Sequence, residues 1–399
     1  MRETAEIDIA CTVSEPVSAA VNWRALLPAI LTVVTGAQVV IIQPVVVQAL
    51  TEYAGFSAEQ SGYILSAEMW GFAVTTIAMV VLVSRFHWHR LIYISVGLML
   101  CANVSSLLAN DATTLSICRF IAGLGAGGLV SLGFAAVGRL PQPDRCFGFA
   151  VTGALTYGAL VVAVAPMLFL FGGYSAIVVL FIATGILCLG CVRKLPSAGI
   201  RNSSHANDSS SSPWPKRLSA LAAMMVYFAA QGAVWSYLFL IGTDAGLSEN
   251  EVAYGLGVAQ FAGIAGALTA AMVATRFGRV VPLTAGILFG ILPLVYLFSN
   301  TTPLVFATVV CLYNFGWNMT HPYLLGVMSS LDNTGATVVY AVAMQKIGLA
   351  IGPAVAAMAL AGSGYHSVLL LGMGLFAASL FLIFWPALHR QKGGLDPAC

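Results

Sequence analysis

Ala54-Gly55-Phe56-Ser57 and Ala245-Gly246-Leu247-Ser248 are the same short phrase written twice, 191 positions apart. At that same offset Tyr63 falls on Tyr254, and Arg85-Phe86 falls on Arg276-Phe277. Gln38 has a near counterpart in Gln231. One register shared from the phrase to the Arg-Phe pair marks an internal duplication. Each copy lies among long apolar segments, and both copies begin on the same side of whatever those segments cross.

The segments identify that barrier. The chain has 399 residues, of which 59% are hydrophobic and 8% charged, with a mean hydropathy of +0.91. A soluble domain carries about 25% charged residues, and a helix crossing a bilayer needs about 20 apolar ones. Twelve segments of that kind are expected, at 24–50, 60–84, 90–109, 112–138, 146–170, 173–192, 217–243, 251–275, 280–299, 302–330, 335–361 and 364–388. The organisation follows: a tail at 1–22, a six-helix bundle at 23–192, a polar linker at 193–216, a second six-helix bundle at 217–388 and a tail at 389–399. Ser203, Ser204 and the run Ser209 to Ser212 make the linker flexible in composition. The first tail is acidic (Glu3, Glu6, Asp8, Glu15), unlike a secretory signal.

Basic residues set the orientation. Of 17 Lys and Arg, 15 lie in the tails or in every second gap, including Arg85, Arg90, Arg139, Arg145, Arg193, Lys194, Arg217 and Arg279. The opposite gaps hold no Lys or Arg but carry Glu52, Glu59, Asp111, Asp244, Glu249 and Glu251. Both termini and the linker are therefore expected on the cytoplasmic side, in a bacterial inner membrane.

At this length and patterning the chain resembles the major facilitator superfamily of transporters. The loop signature of that family between spans two and three, G-x-L-x-D-R-x-G-R-R, is degenerate: Val80 stands for the Gly, Ser84 for the Asp, and Arg85 keeps the Arg. In the second half Thr275 stands for the Asp while Arg276-Phe277-Gly278-Arg279 keeps the rest. The fourth-span signature is better kept, as Leu115-x-x-x-Arg119-x-x-x-Gly123-x-Gly125-Ala126. The fifth-span antiporter signature is poor, with Gly158 and Pro166 but Ala165 before the Pro; Gly348-x-x-x-Gly352-Pro353 lies in span eleven instead. The resemblance implies an all-α fold of two six-helix bundles, a cavity lined by spans one, four, seven and ten, and proton coupling at Arg119.

Three charges fall inside apolar segments: Glu68, Arg119 and Lys346. Each costs at least ~2.5–3.5 kcal/mol at membrane depth and needs a reason. Glu68 in span two and Arg119 in span four lie at matching depths, so they can pair, as a structural ion pair or as a proton-coupling pair. Lys346 lies near the middle of span eleven, level with His321 of span ten, and has no carboxylate at its depth. Asp332 is nearest in sequence and reads as a loop charge. Asn314, Asn318 and His321 share one helix face, either as interhelical hydrogen-bonding glue or as a binding face. Tyr227, Gln231 and Trp235 share a face of span seven, and Trp317 lies on span ten; an aromatic stripe is packing or a binding box.

The function expected is secondary active transport of a small organic anion, coupled to protons. Lys346 or Arg119 would hold the anion; Gln38, Gln231, Asn314, Asn318, His321, Trp235, Tyr227 and Trp317 would line the site; Glu68 would carry the proton. The alternative is a proton-antiporting exporter of drugs or metabolites. An enzyme is not expected: the six His (His87, His89, His205, His321, His366, His389) are dispersed, and no P-loop, H-E-x-x-H or G-x-S-x-G occurs. No cofactor, metal or nucleic-acid partner is expected of this monomer in its bilayer. The eight Cys, with Cys188-x-x-Cys191 among them, read as small apolar residues.

Overall fold

The repeated phrase is a helix stop followed at once by a helix start. Gly55 and Gly246 adopt φ of 78° and 88°, the left-handed region that glycine enters without a Cβ penalty. Behind them Phe56 N donates to Leu50 O and Leu247 N donates to Gly242 O, both at 3.2 Å, closing the preceding helix. The serine then opens the next one. Gln60 N donates to Ser57 Oγ at 3.1 Å, and Ser57 N donates back to Gln60 Oε1 at 3.0 Å. Glu251 N and Ser248 Oγ, with Ser248 N and Glu251 Oε2, repeat this capping box at 3.4 and 2.9 Å.

The computed structural model describes residues 23–140, 143–195, 212–273, 278–299, 301–331 and 336–388. The expected tails, most of the linker, Thr275, Arg276-Phe277 and Asp332 lie outside the described residues. The first half runs α1 (Trp23–Ile41), α2 (Gln43–Gln48), α3 (Ala58–Arg85), α4 (Trp88–Ser106), α5 (Ala112–Val137) and α6 (Pro143–Cys191). A short 3-10 turn, Val192–Lys194, follows. The second half runs α7 (Trp214–Asp244), α8 (Glu249–Val273), α9 (Val280–Ile291), α10 (Pro303–Ser329), α11 (Ala336–Ser363) and α12 (Tyr365–Leu388).

Three segments differ from the sequence expectation. The segment at 24–50 is not one helix. It breaks after Ile41, where the ring of Pro44 favours a new helix start, and α2 ends in a π-turn, Ala49–Tyr53, closed by Ala54 N to Ala49 O at 3.0 Å. The segments at 146–170 and 173–192 follow without coil in α6, broken at Gly172–Gly173, where Gly173 takes φ 55°. A straight helix of 49 residues would be about 74 Å long, against a hydrocarbon core of about 30 Å. The segment at 280–299 tightens to 3-10 geometry over Pro293–Phe298, again at a proline.

Among the described residues nine helices are long and apolar enough to cross a membrane, with α6 counted once. The long helices α4 and α10 fall below that apolar threshold. They are the ones that carry Asn103 and the Asn314/Asn318/His321 face.

Glycine sets how closely the helices approach. A Cβ on Gly123 or Gly127 of α5 would strike the carbonyl oxygens of Glu68 or Phe72 on α3. On α11, a Cβ at Gly348 or Gly352 would strike those of Met225 or Ala229 on α7. Without a hydrophobic driving force inside lipid, such backbone-close contacts carry the association. The halves meet where α3 faces α11, α6 faces α8 and α2 faces α7. Gly123→Ala should overpack the α3–α5 contact and cost about 1–3 kcal/mol, read as a lower melting temperature in detergent. Gly97→Ala on α4, whose Cβ would meet nothing within 4 Å, should be neutral or slightly stabilising.

Candidate functional site

The close approach of α3 and α5 brings two of the expected site residues face to face. Arg119 Nη1 and Glu68 Oε1 are 3.5 Å apart, both buried, in the one ion pair found among the described residues. Arg119 Nη2 also donates to Asn103 Oδ1 of α4. Tyr174, just after the α6 break, is buried nearby. The pairing is incomplete: Glu68 Oε2 and Arg119 Nε are buried and have no hydrogen-bond partner among the described residues. A buried carboxylate with one free oxygen can accept a proton, and the guanidinium beside it can stay where it is when that happens.

Lys346 sits on the other side of the seam. Its Nζ lies 5.2 Å from the centroid of the Phe72 ring, so a charge on α11 of the second half rests on an aromatic face on α3 of the first. No carboxylate lies within ion-pair distance of it among the described residues. Lys346 and its neighbour Gln345 on α11 lie close to His321 of α10. His321 packs edge-on to Phe228 at 5.3 Å, and its Nε2 is buried without a partner.

The span-seven face leads to the same region. Tyr227, Gln231 and Trp235 are all buried. Gln231 Nε2 donates to Tyr227 Oη at 3.0 Å, which leaves Gln231 Oε1 without a partner. Trp235 packs edge-to-face with Trp317 at 6.0 Å, and its Nε1 is likewise unpartnered. α7 and α10 thus hold an acceptor, a donor and a histidine nitrogen that nothing among the described residues satisfies.

The two asparagines are engaged elsewhere. Asn314 Nδ2 donates to Ala259 O of α8 at 2.8 Å, and Asn318 Nδ2 donates to Asn314 O and Oδ1 at 3.0 and 3.1 Å. The repeat explains this. At an offset of 191, Glu68, Phe72, Gly123 and Gly127 fall on Ala259, Gly263, Asn314 and Asn318. In the first half α5 is small and lets α3 keep its carboxylate and its ring. In the second half α8 is small, a Cβ on Gly263 would lie 2.7 Å from Asn318 Nδ2, and α10 supplies the polar groups. Gln38 is held inside the first half, where Oε1 accepts from Tyr157 at 3.0 Å and from Thr184 at 2.8 Å. It is not brought together with Gln231 by any direct hydrogen bond.

The seam is fastened at the end that carries the repeated phrase. Glu249 accepts from Tyr53 Oη at 2.9 and 2.8 Å and from Gln48 Nε2 at 3.0 Å. The Tyr53 ring stacks on Phe169 at 4.7 Å. Burial first, then the bond to Glu249, push the Tyr53 hydroxyl up to about 12, so it remains a donor at neutral pH. Deeper in, Tyr237 Oη donates to Ala58 O at 2.9 Å, Ser236 Oγ to Gln43 Oε1 at 3.2 Å, and Ser66 Oγ to Ala350 O at 2.6 Å. Sequence reasoning missed Asn103, Phe72, Tyr53 and Glu249 as site residues. Only Asn103 had a readable signal, as a lone amide in an apolar segment.

A family model described as Major Facilitator Superfamily matches residues 29–353. No curated protein sequence matches the chain. The fold is similar to that in the crystal structure of a D-xylose-proton symporter, with a TM-score of 0.71 over 90% of this chain and 97% of that one at 16% identity. The match to the family model spans most of the chain, and the fold agrees with it: the chain belongs to the major facilitator superfamily, as a multi-pass membrane transport protein.

Proposed function

We propose that the chain is a secondary active transporter that moves a small organic anion by proton-coupled alternating access. Twelve spans then cross the bilayer as two parallel six-helix bundles, with α4 and α10 included, α6 counted as two and both termini cytoplasmic. The protein works as a monomer in a bacterial inner membrane. The observation that carries the reading is Lys346, a cation at the seam between the halves with a ring beneath it and no carboxylate beside it. A positive charge in a site of low dielectric favours a negative ligand. His321 Nε2, Trp235 Nε1 and Gln231 Oε1 supply further polar groups on the neighbouring helices. Asn314 and Asn318 shape that face through α8 more than they touch the solute.

The symporter of similar fold carries D-xylose with protons. Here Lys346 favours a charged solute over a sugar, and Glu68 is the acid available for the proton. Protonation of Glu68 leaves Arg119 charged and held, among the described residues, only by Asn103, which is the imbalance a coupled conformational step would answer. With the basic gaps inside, the Glu249 clasp lies on the outer face, and the conformation is closed to the outside.

Four measurements test this. Lys346→Ala should reduce anion transport in proteoliposomes by about 10–100-fold, the value of one hydrogen bond to a charged group, at unchanged protein abundance; undiminished transport removes Lys346 from the site. Glu68→Gln should bind the solute but lose its response to an imposed pH gradient; a full response would sink the coupling role. In Glu249→Ala the outer face should open more often, by on the order of tenfold for each ~1.4 kcal/mol of clasp lost. A cysteine at Ser236, in a background without reactive native cysteines, would report this by faster labelling with an impermeant thiol reagent from outside. Stabilisation of the purified protein by lipophilic cations, and not by carboxylates or phosphates, would instead favour the exporter reading.

A further inference from the structure

We infer that a groove between the start of α1 and the end of α6 binds the headgroup of an anionic phospholipid. The groove encloses about 620 Å³ and is lined by Trp23, Arg24, Leu27 and Leu31 on one wall and by Cys191 and Lys194 on the other. It lies apart from the Glu68–Arg119 pair and from Lys346, and the transport reading uses none of it.

Each wall is anchored from behind. Val192 and Leu195 are fully or nearly fully buried and bracket Arg193 and Lys194 in a single 3-10 turn. His89 Nε2 lies 3.1 Å from Leu195 O, tying that turn to α4. Trp23 packs on Phe149 with ring centroids 5.1 Å apart. Lys194 is therefore presented towards α1 by buried neighbours, and Arg24 stands opposite, one residue beyond a fixed Trp.

The chemistry of the lining selects the ligand. Two cations face a groove that contains no carboxylate, and among the described residues neither has an ion-pair or hydrogen-bond partner. The rest of the wall is apolar, and Leu27 and Trp23 are 57% and 48% exposed. A free phosphate would satisfy the cations but leave that apolar wall in water. A phospholipid satisfies both, with its phosphate between Arg24 and Lys194 and its glycerol and upper acyl chain along Leu27 and Leu31. Tryptophan at this level is the ordinary residue of a membrane interface. The groove is on the side of the basic gaps, and in the orientation proposed above that is the cytoplasmic leaflet, where anionic lipids attract basic residues.

The test uses the full-length protein in nanodiscs of phosphatidylcholine with increasing phosphatidylglycerol, read by melting temperature and by native mass spectrometry of retained lipid. Phosphatidylglycerol should raise the melting temperature and remain bound. Arg24→Gln/Lys194→Gln should weaken that affinity more than tenfold, at about fivefold for each charge. Arg193→Gln, an exposed neighbour that does not line the groove, should change it less than twofold. If the double variant is not recovered folded, Lys194→Gln alone should show the fivefold loss. Unaltered affinity in the Arg24/Lys194 variants, an equal loss in Arg193→Gln, or equal stabilisation by soluble glycerol phosphate would each overturn the assignment. These outcomes are read without substrate, so they are independent of the transport reading.

Discussion

Helix backbones in a bilayer gain nothing by hiding apolar surface from one another, because the lipid is as apolar as they are. What holds them is contact, and contact depends on how near two backbones can come. Here the decisive positions are Gly123 and Gly127 under Glu68 and Phe72, and Gly348 and Gly352 under α7. The first pair lets Arg119 reach Glu68 across α3 and α5. The same contact buries Phe72 against Ala126 and Val130 of α5, where Lys346 of α11 meets its ring. The ion pair and the cation on its ring are therefore consequences of two missing side chains.

The duplication makes the comparison quantitative within one molecule. Both halves need α3 and α5, or α8 and α10, to touch. The first half places the small residues on α5 and leaves the carboxylate and the ring on α3. The second half reverses this: Gly263 is small and Asn314 bonds to Ala259 O. The second half thereby loses the carboxylate and the ring at the equivalent positions and gains a hydrogen-bonded contact. The buried carboxylate is left with the first half, while the second keeps Lys346 and buried polar atoms without partners among the described residues.

Features governed by local chemistry were legible in the sequence. The repeated phrase encodes a left-handed glycine and a capping serine, and both act within a few residues of themselves. The depth of Glu68 and Arg119 follows from counting residues, and their meeting needed only that count. The breaks at Pro44 and Pro293 were readable in principle, since a proline alters its own backbone, but length and hydropathy smooth over them. The Phe72–Lys346 contact and the Tyr53–Glu249 bond were not legible. They join helices from different halves, and nothing in either helix specifies the angle at which the halves dock. Asn103 falls between these cases: its polarity was visible, but its partner depends on the α4–α5 packing.

The π-turn at Ala49–Tyr53 bears on how the clasped end of the seam parts. A π-turn holds one more residue than an α-turn, and each residue of an α-helix advances the chain by about 100° around the axis. Returning that turn to α geometry would swing everything after Ala49 by about one residue's worth of rotation. Tyr53 is the last residue of the turn, so its hydroxyl would leave Glu249 while α2 itself stayed where it packs. In the widened turn, a rotation confined to a few residues would release the clasp without bending a whole helix.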